Sequence, residues 1–147
     1  GHYPWMVLLH TGFLIAAPLE VWLLGRPLFV ALAVPMLALS LAASLLRVWV
    51  IRTLGARWTT RILVLPGAAP ITGGPYRFLR HPNYLAVVLE LACLPLVHTA
   101  WLTSVGGSAL NAWLLRTRIR AEEAALASVS DYRGALGEKP QLLPRMP

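Results

Sequence analysis

Two long apolar runs separated by three residues, Gly25-Arg26-Pro27, constrain this chain more than anything else in it. Trp5 to Leu24 is a twenty-residue run whose one charged residue is Glu20. At 1.5 Å per residue a helix of that length spans about 30 Å, the thickness of a bilayer's hydrocarbon core. Leu28 to Val50 repeats the pattern, closed by Trp49 and bracketed by Arg47 and Arg52. Trp5 and Trp22 fall near the two ends of the first run, where indole rings prefer the headgroup level. The pair predicts a tight transmembrane helical hairpin. Composition agrees, with 57% hydrophobic and 13% charged residues against about a quarter charged in soluble domains. No basic segment or small-residue cleavage site marks a signal peptide. The start at Gly1 without Met leads us to expect a further segment upstream.

Residues 51 to 80 break the apolar pattern with Arg52, Arg57, Arg61, Arg77 and Arg80 and no acidic residue. The positive-inside rule places this loop in the cytosol. Within it, Arg61-Ile62-Leu63-Val64-Leu65 reads as a strand-like stretch lying in the interface, followed by a turn at Pro66-Gly67-Ala68-Ala69-Pro70. Two shorter apolar runs follow, Asn83 to Val97 and Ala100 to Leu115, of 15 and 16 residues. A full crossing takes about 17 to 25, so they either borrow length from their flanks or leave a wet cavity at the inner leaflet. Gly106-Gly107-Ser108 suits close helix packing. The last run is expected to continue as a helix into water, with Arg118 and Glu122 on one face and Arg120 beside Glu123. The segment from Ser128 to Pro147 is expected to be a cytosolic tail lying against the catalytic face. With Arg26 the sole exception, every Lys and Arg then falls on one side. The expected architecture is an all-α integral membrane protein, one domain over 1–147. It has spans at about 5–24, 28–50, 83–97 and 100–115, a cytosolic loop at 51–82, and a cytosolic helix and tail at 116–147.

Chemistry concentrates in residues 72 to 84, Thr72-Gly73-Gly74-Pro75-Tyr76-Arg77-Phe78-Leu79-Arg80-His81-Pro82-Asn83-Tyr84. Arg77 and Arg80 supply fixed cations, His81 and Asn83 directional donors and acceptors, and Gly73-Gly74-Pro75 forces a turn that brings backbone near a ligand. Glu90 is a carboxyl inside a membrane run, a costly placement that marks a functional candidate. His10, Glu20 and His98 are less telling, since Glu20 can reach the outer interface near Arg26 and His98 sits at an outer turn. The lone cysteine, Cys93, excludes an intramolecular disulfide and a Cys-rich metal site, and no metal is expected. The net charge of +7 belongs to residues beside hydrophobic spans, so it argues orientation in a bilayer and not nucleic-acid binding. Twelve of thirteen basic residues are Arg, a hint of a GC-rich bacterial genome.

Gly74-Pro75-Tyr76-Arg77 and Arg80-His81-Pro82-Asn83-Tyr84, followed after two hydrophobic runs by Arg118-Ile119-Arg120-Ala121-Glu122-Glu123, resemble the isoprenylcysteine carboxyl methyltransferase family, which includes bacterial lipid methyltransferases. The resemblance covers roughly residues 40 to 145. It implies a multi-span membrane enzyme that binds S-adenosylmethionine on the cytosolic side. It places Tyr76, Arg80, His81, Pro82, Asn83, Tyr84, Glu122 and Glu123 at the cofactor, and the family's Arg and Glu pair on Arg118, Glu122 and Glu123. It also implies another span ahead of the four visible ones, and, given the Arg usage, a bacterial inner membrane with the active site facing the cytosol. The segment Ser128-Val129-Ser130-Asp131-Tyr132 departs from the family, being shortened, without its Gly and with one Tyr of two. Sterol-type NADPH-dependent reductases carry a similar His-Pro-Asn-Tyr string, but the Glu pair and short length favour the methyltransferase. No Gly-x-Gly-x-x-Gly follows a predicted strand, against the soluble nucleotide-binding type.

The expected function is methyl transfer to a carboxylate, hydroxyl or amine of a lipophilic small molecule or lipid-modified substrate held among membrane lipids, with Arg118, Glu122 and Glu90 as catalytic candidates. A carboxylate substrate needs no base; a phenol or alcohol requires one such as Glu122 or His81. Plainer readings stand beside these. His81-Pro82 can be a helix start with Pro in its first turn, Arg118 and Glu122 a solvated surface pair, and Tyr76 and Tyr84 interface anchors. The competing functions are the NADPH-dependent reductase and a non-catalytic scaffold whose arginines bind anionic lipid.

Overall fold

The computed structural model describes residues 3–58, 69–129 and 131–142. The strand-like stretch at residues 61–65 and the start of the turn that follows lie outside these. Among the described residues every regular element is helical: α1 (Tyr3–Leu24), α2 (Val30–Leu54), α3 (Pro82–Leu96), α4 (Trp101–Val129) and the short α5 (Tyr132–Leu136), with single 3-10 turns at Gly55–Arg57 and Gly74–Arg77. Pro4–Leu24 and Val30–Arg57 are each long and apolar enough to cross a membrane, whereas α3 is apolar over only 15 residues. As expected from the sequence, the run after Ala100 continues without a break past Arg116, and α4 is one helix of 29 residues.

The hairpins follow from their turns. Gly25 closes α1 with a positive φ of 56°, the left-handed cap geometry that glycine adopts without steric cost. Pro95, in the last turn of α3, accepts at its carbonyl from the N–H groups of His98 and Ala100, and the chain reverses at Thr99, whose φ is 54°. The Thr99 hydroxyl donates to the carbonyl of Pro27 at 2.8 Å, tying this reversal to the α1–α2 turn. The same end of the molecule is fixed by Glu20. Its carboxylate accepts from the backbone N–H groups of Leu102 (3.2 Å) and Thr103 (2.7 Å) and from the Thr103 hydroxyl (2.8 Å), and it pairs with Arg26 at 2.9 Å. Those N–H groups belong to the first turn of α4, where no intrahelical acceptor exists. Glu20 thus answers both Arg26, as the sequence suggested, and an open helix end.

α2 packs along α3 through a narrow face of Ala33, Ser40, Ala43 and Val50. Small side chains at this spacing allow the close approach that drives helix association where lipid surrounds the protein. α1 lies on α4 instead, and Gly107 of α4 leaves Phe13 room to approach. Of the glycines expected to serve packing, Gly106 meets nothing nearby. The core is a cluster of Leu9, Phe13, Val87, Leu91 and Leu114, joined by Met6, and a second of Tyr84, Leu115 and Ile119. Outward, large apolar side chains such as Leu14, Trp22, Leu41, Trp49 and Trp113 are exposed. So extensive an apolar exterior is foreign to monomeric soluble proteins and natural against lipid.

The four-span topology expected from the sequence makes a prediction: cysteines introduced at Ala56 and Ser128 of a Cys93→Ser background in sealed vesicles should react from one face, and one at His98 from the other. Reaction of Ala56 and Ser128 from opposite faces would contradict this arrangement.

Candidate active site

The end of the bundle away from Glu20 gathers the start of α1, the end of α2, the start of α3 and the middle of α4. The turn at Gly74–Arg77 is seated directly on α2. Gly74 has φ 55°, and a Cβ there would fall 2.3 Å from the Thr53 hydroxyl oxygen, so this position requires glycine for conformation and for space. His81 then caps α3 and Pro82 occupies its first position, where a missing N–H costs nothing. The plain reading of His81-Pro82 as a helix start is therefore correct, and the imidazole has a second task.

Glu123 of α4 performs the gathering. One of its oxygens accepts from Arg80 Nη1 at 2.9 Å and His81 Nε2 at 3.0 Å, and Gln141 Nε2 lies 3.3 Å from both oxygens. Because a carboxylate only accepts, His81 Nε2 carries hydrogen. The tail fastens the same turn by backbone bonds: Arg80 N–H donates to the Pro140 carbonyl (2.9 Å) and His81 N–H to that of Gln141 (3.0 Å), while Lys139 Nζ donates to the Tyr76 carbonyl (2.9 Å). Over residues 139–141 the tail lies against this face as expected.

A second chain of bonds runs through Tyr84, whose ring stacks on His81 with centroids 5.4 Å apart. Arg118 Nε donates to the phenol oxygen at 2.9 Å, and the phenol O–H donates to Glu122 Oε2. A hydroxyl can accept and donate at once, so Tyr84 links the cation to the carboxylate. Arg118 is 8% exposed and Tyr84 7%, which removes both the surface-pair reading of Arg118 and the interface-anchor reading of Tyr84. Glu122 Oε1 has no partner among the described residues.

These groups border a cavity of about 380 Å³, within the usual range of small-molecule sites, about 300 to 1,000 Å³. Tyr76, Arg80, His81, Asn83, Tyr84, Arg118 and Glu122 all line it. Pro82 and Glu123 do not, the first acting as helix start and the second as the strut behind the cavity. Glu90 does not line it either. Its carboxylate takes Arg47 and the Ser44 hydroxyl, joining α3 to α2. The remaining lining comes from Met6, Val7, His10, Thr11 and Leu14 of α1 and from Arg47, Leu54, Trp58 and Val87. Sequence reasoning did not place His10 or Arg47 here. Arg47 was legible only as half of a pair, one cation and one carboxylate on separate apolar runs, and His10 as an imidazole where hydrocarbon was expected.

A bundle with a lipid-suited exterior and, among the described residues, a polar, arginine-lined cavity at its end suits a membrane protein. Residues 36–128 match the isoprenylcysteine carboxyl methyltransferase (ICMT) family, and the chain belongs to that family. Membership implies a membrane methyltransferase. The chain is 39% identical over 131 residues, 88% of its length and 77% of the relative's, to the uncharacterized protein YpbQ of Bacillus subtilis (strain 168). It is 33% identical over 92 residues, 62% of its length and 54% of the relative's, to an uncharacterized protein of Haemophilus influenzae (strain ATCC 51907 / DSM 11121 / KW20 / Rd). No solved structure matches.

Glu123→Ala removes the shared acceptor of Arg80, His81 and Gln141 and should destabilise the folded protein by about 1–3 kcal/mol. Tyr84→Phe keeps the ring and breaks the link, at a cost of about 1 kcal/mol. Thermal unfolding in detergent followed by tryptophan fluorescence measures both. A Glu123→Ala change below about 0.5 kcal/mol, the scale of exposed pairs, would mean that the strut carries nothing.

Proposed function

We propose that this chain is a multi-pass methyltransferase that takes methyl groups from S-adenosylmethionine and places them on a carboxylate, hydroxyl or amine of a lipophilic substrate, with the cofactor in the cavity bounded by Tyr76–Tyr84 and the Arg118–Glu122 turn of α4. The observation that carries this is the composition of the cavity: arginines, His81, Asn83 and Glu122 on one part of its wall, Met6, Val7, Leu14 and Leu54 on another. A polar donor and an apolar acceptor substrate both find suitable surroundings.

The residues present fit the cofactor. Nε of Arg47 and Nε of Arg80 are buried without a hydrogen-bond partner among the described residues, and both side chains line the cavity. A guanidinium donates and never accepts, so these N–H groups suit an anion such as the cofactor's carboxylate. Glu122 Oε1 suits its ammonium. When bound, S-adenosylmethionine supplies an electrophilic methyl group on a sulfonium. The chain's own part is positioning: Glu123 holds Arg80 and His81, Tyr84 holds Arg118 against Glu122, and rigid placement of reacting partners accounts for much of the rate in reactions of this type. The apolar wall keeps water from competing for the methyl group.

The same reading assigns four crossings. α1 and α2 span fully; α3, at 15 residues only about 22 Å long, and the first part of α4 cross with recessed ends that leave room for the cavity. Arg52, Arg57, Arg77, Arg80, Arg116 and Arg120 lie toward the cavity end, which orients that end to the cytosol, in a bacterial inner membrane.

Titration of purified protein in nanodiscs with S-adenosylhomocysteine should give saturable binding that Asn83→Ala weakens by about 3- to 10-fold, the worth of one neutral hydrogen bond, with little loss of thermal stability. At saturating cofactor, Glu122→Ala should lower turnover on a lipid panel by roughly 30- to 1000-fold. Binding of NADPH in place of S-adenosylhomocysteine would replace this reading with the reductase, and binding of neither would leave the scaffold.

A further inference from the structure

His10 is an imidazole about 10 Å in from the start of α1, seven residues beyond Tyr3 at 1.5 Å each. It precedes the residues that match the family, 36–128. Its Nδ1 lies 2.7 Å from the carbonyl oxygen of Met6. A carbonyl accepts only, so Nδ1 bears the hydrogen and a neutral ring presents a lone pair at Nε2. Among the described residues Nε2 has no partner. A base oriented by a third group that holds its other ring nitrogen is a recurring device of proton-transfer sites. Ionisable side chains within membrane segments are expensive and by default functional.

We propose that His10 is a catalytic base that takes the proton of the acceptor substrate, and that the substrate is a lipid hydroxyl, not a carboxylate. This rests on the methyltransferase reading above. A carboxylate arrives ionised, and an imidazole lone pair beside it has nothing to remove; a hydroxyl must lose its proton to become a good nucleophile. The titratable and charged groups that share the cavity with His10 are Arg47 of α2, Tyr76, Arg80 and His81 before α3, Tyr84 of α3, and Arg118 and Glu122 of α4. The three guanidiniums favour the oxyanion formed once the proton has left. Glu122 and His81 are the other bases on the cavity wall, but Glu122 already accepts the hydrogen bond of the Tyr84 phenol and is suited to the cofactor's ammonium, and His81 is held at Nε2 by Glu123 among the residues assigned to the cofactor. In the step itself, the substrate oxygen gives its proton to His10 Nε2 and forms a new O–C bond to the methyl group. The C–S bond of the sulfonium donor breaks with its electron pair left on sulfur, and the imidazolium later releases the proton to water.

Two measurements test this on the full chain in nanodiscs. The first needs no turnover: a long-chain alkyl nitrophenol is bound to the protein alone, below the pH at which the free probe ionises, and its visible phenolate band is recorded. The wild type should show the band, and His10→Gln, which keeps a polar side chain without a base, should lose most of it. The second is methylation of a long-chain alkylphenol and of a fatty acid of equal length. His10→Gln should lower kcat on the phenol by about 100-fold or more, within the range of general-base contributions. It should leave S-adenosylhomocysteine affinity unchanged, and the loss should shrink as pH rises and the phenol ionises unaided. His10→Ala should behave alike, and thermal unfolding confirms that both variants fold. A phenolate band and a phenol kcat within about threefold of wild type in a folded His10→Gln protein overturn the proposal and leave the methyltransferase reading intact; so does a wild type that methylates only the fatty acid. A wild type that binds no S-adenosylhomocysteine overturns both.

Discussion

The structure depends on one constraint, that a charge withdrawn from water must find its partner on another part of the chain. Glu123 is the clearest instance. It sits on α4 and receives Arg80, His81 and Gln141, which come from two other parts of the chain. Removal of one member of such a set leaves the others buried and unanswered, which costs far more than the set contributes when whole. The same rule applies at the other end, where Glu20 satisfies Arg26 and the open N-terminus of α4, and between α2 and α3, where Glu90 receives Arg47. Three carboxylates fix three different helix relations, and the apolar faces between them need only be smooth.

This division explains how a cavity survives in a small bundle. The backbone around Arg80 and His81 is irregular, and irregular backbone near a membrane needs protein partners for its N–H groups. Here the tail supplies them through the carbonyls of Pro140 and Gln141. Pinned by the tail behind and by Gly74 against Thr53 below, the turn can turn polar side chains inward without collapsing onto them. Tyr84 adds a fixed relation between Arg118 and Glu122, so the groups facing the cavity are set by neighbours and not by their own rotamer preferences.

The sequence itself determined the helical class, the two long apolar helices, the run-on of α4 past Leu115, and the clustering of polar side chains in residues 76–84 and 118–123, seven of which line one cavity. These features are local: apolar run length sets a membrane helix, Gly-Gly-Pro a turn, and His-Pro a helix start. The partition of roles among those residues was not legible, because it depends on which helix faces which. Glu122 and Glu123 are adjacent in the chain, yet one lines the cavity and the other stands behind it, since neighbours on a helix point about 100° apart. Glu90 carried the same costly membrane position as a cavity residue and is turned to Arg47, while His10, on a run that looked merely hydrophobic, is brought to the cavity wall. Only the packing of α1 against α4 and of α2 against α3 decided this, because a single sequence gives each helix its face but not its neighbour.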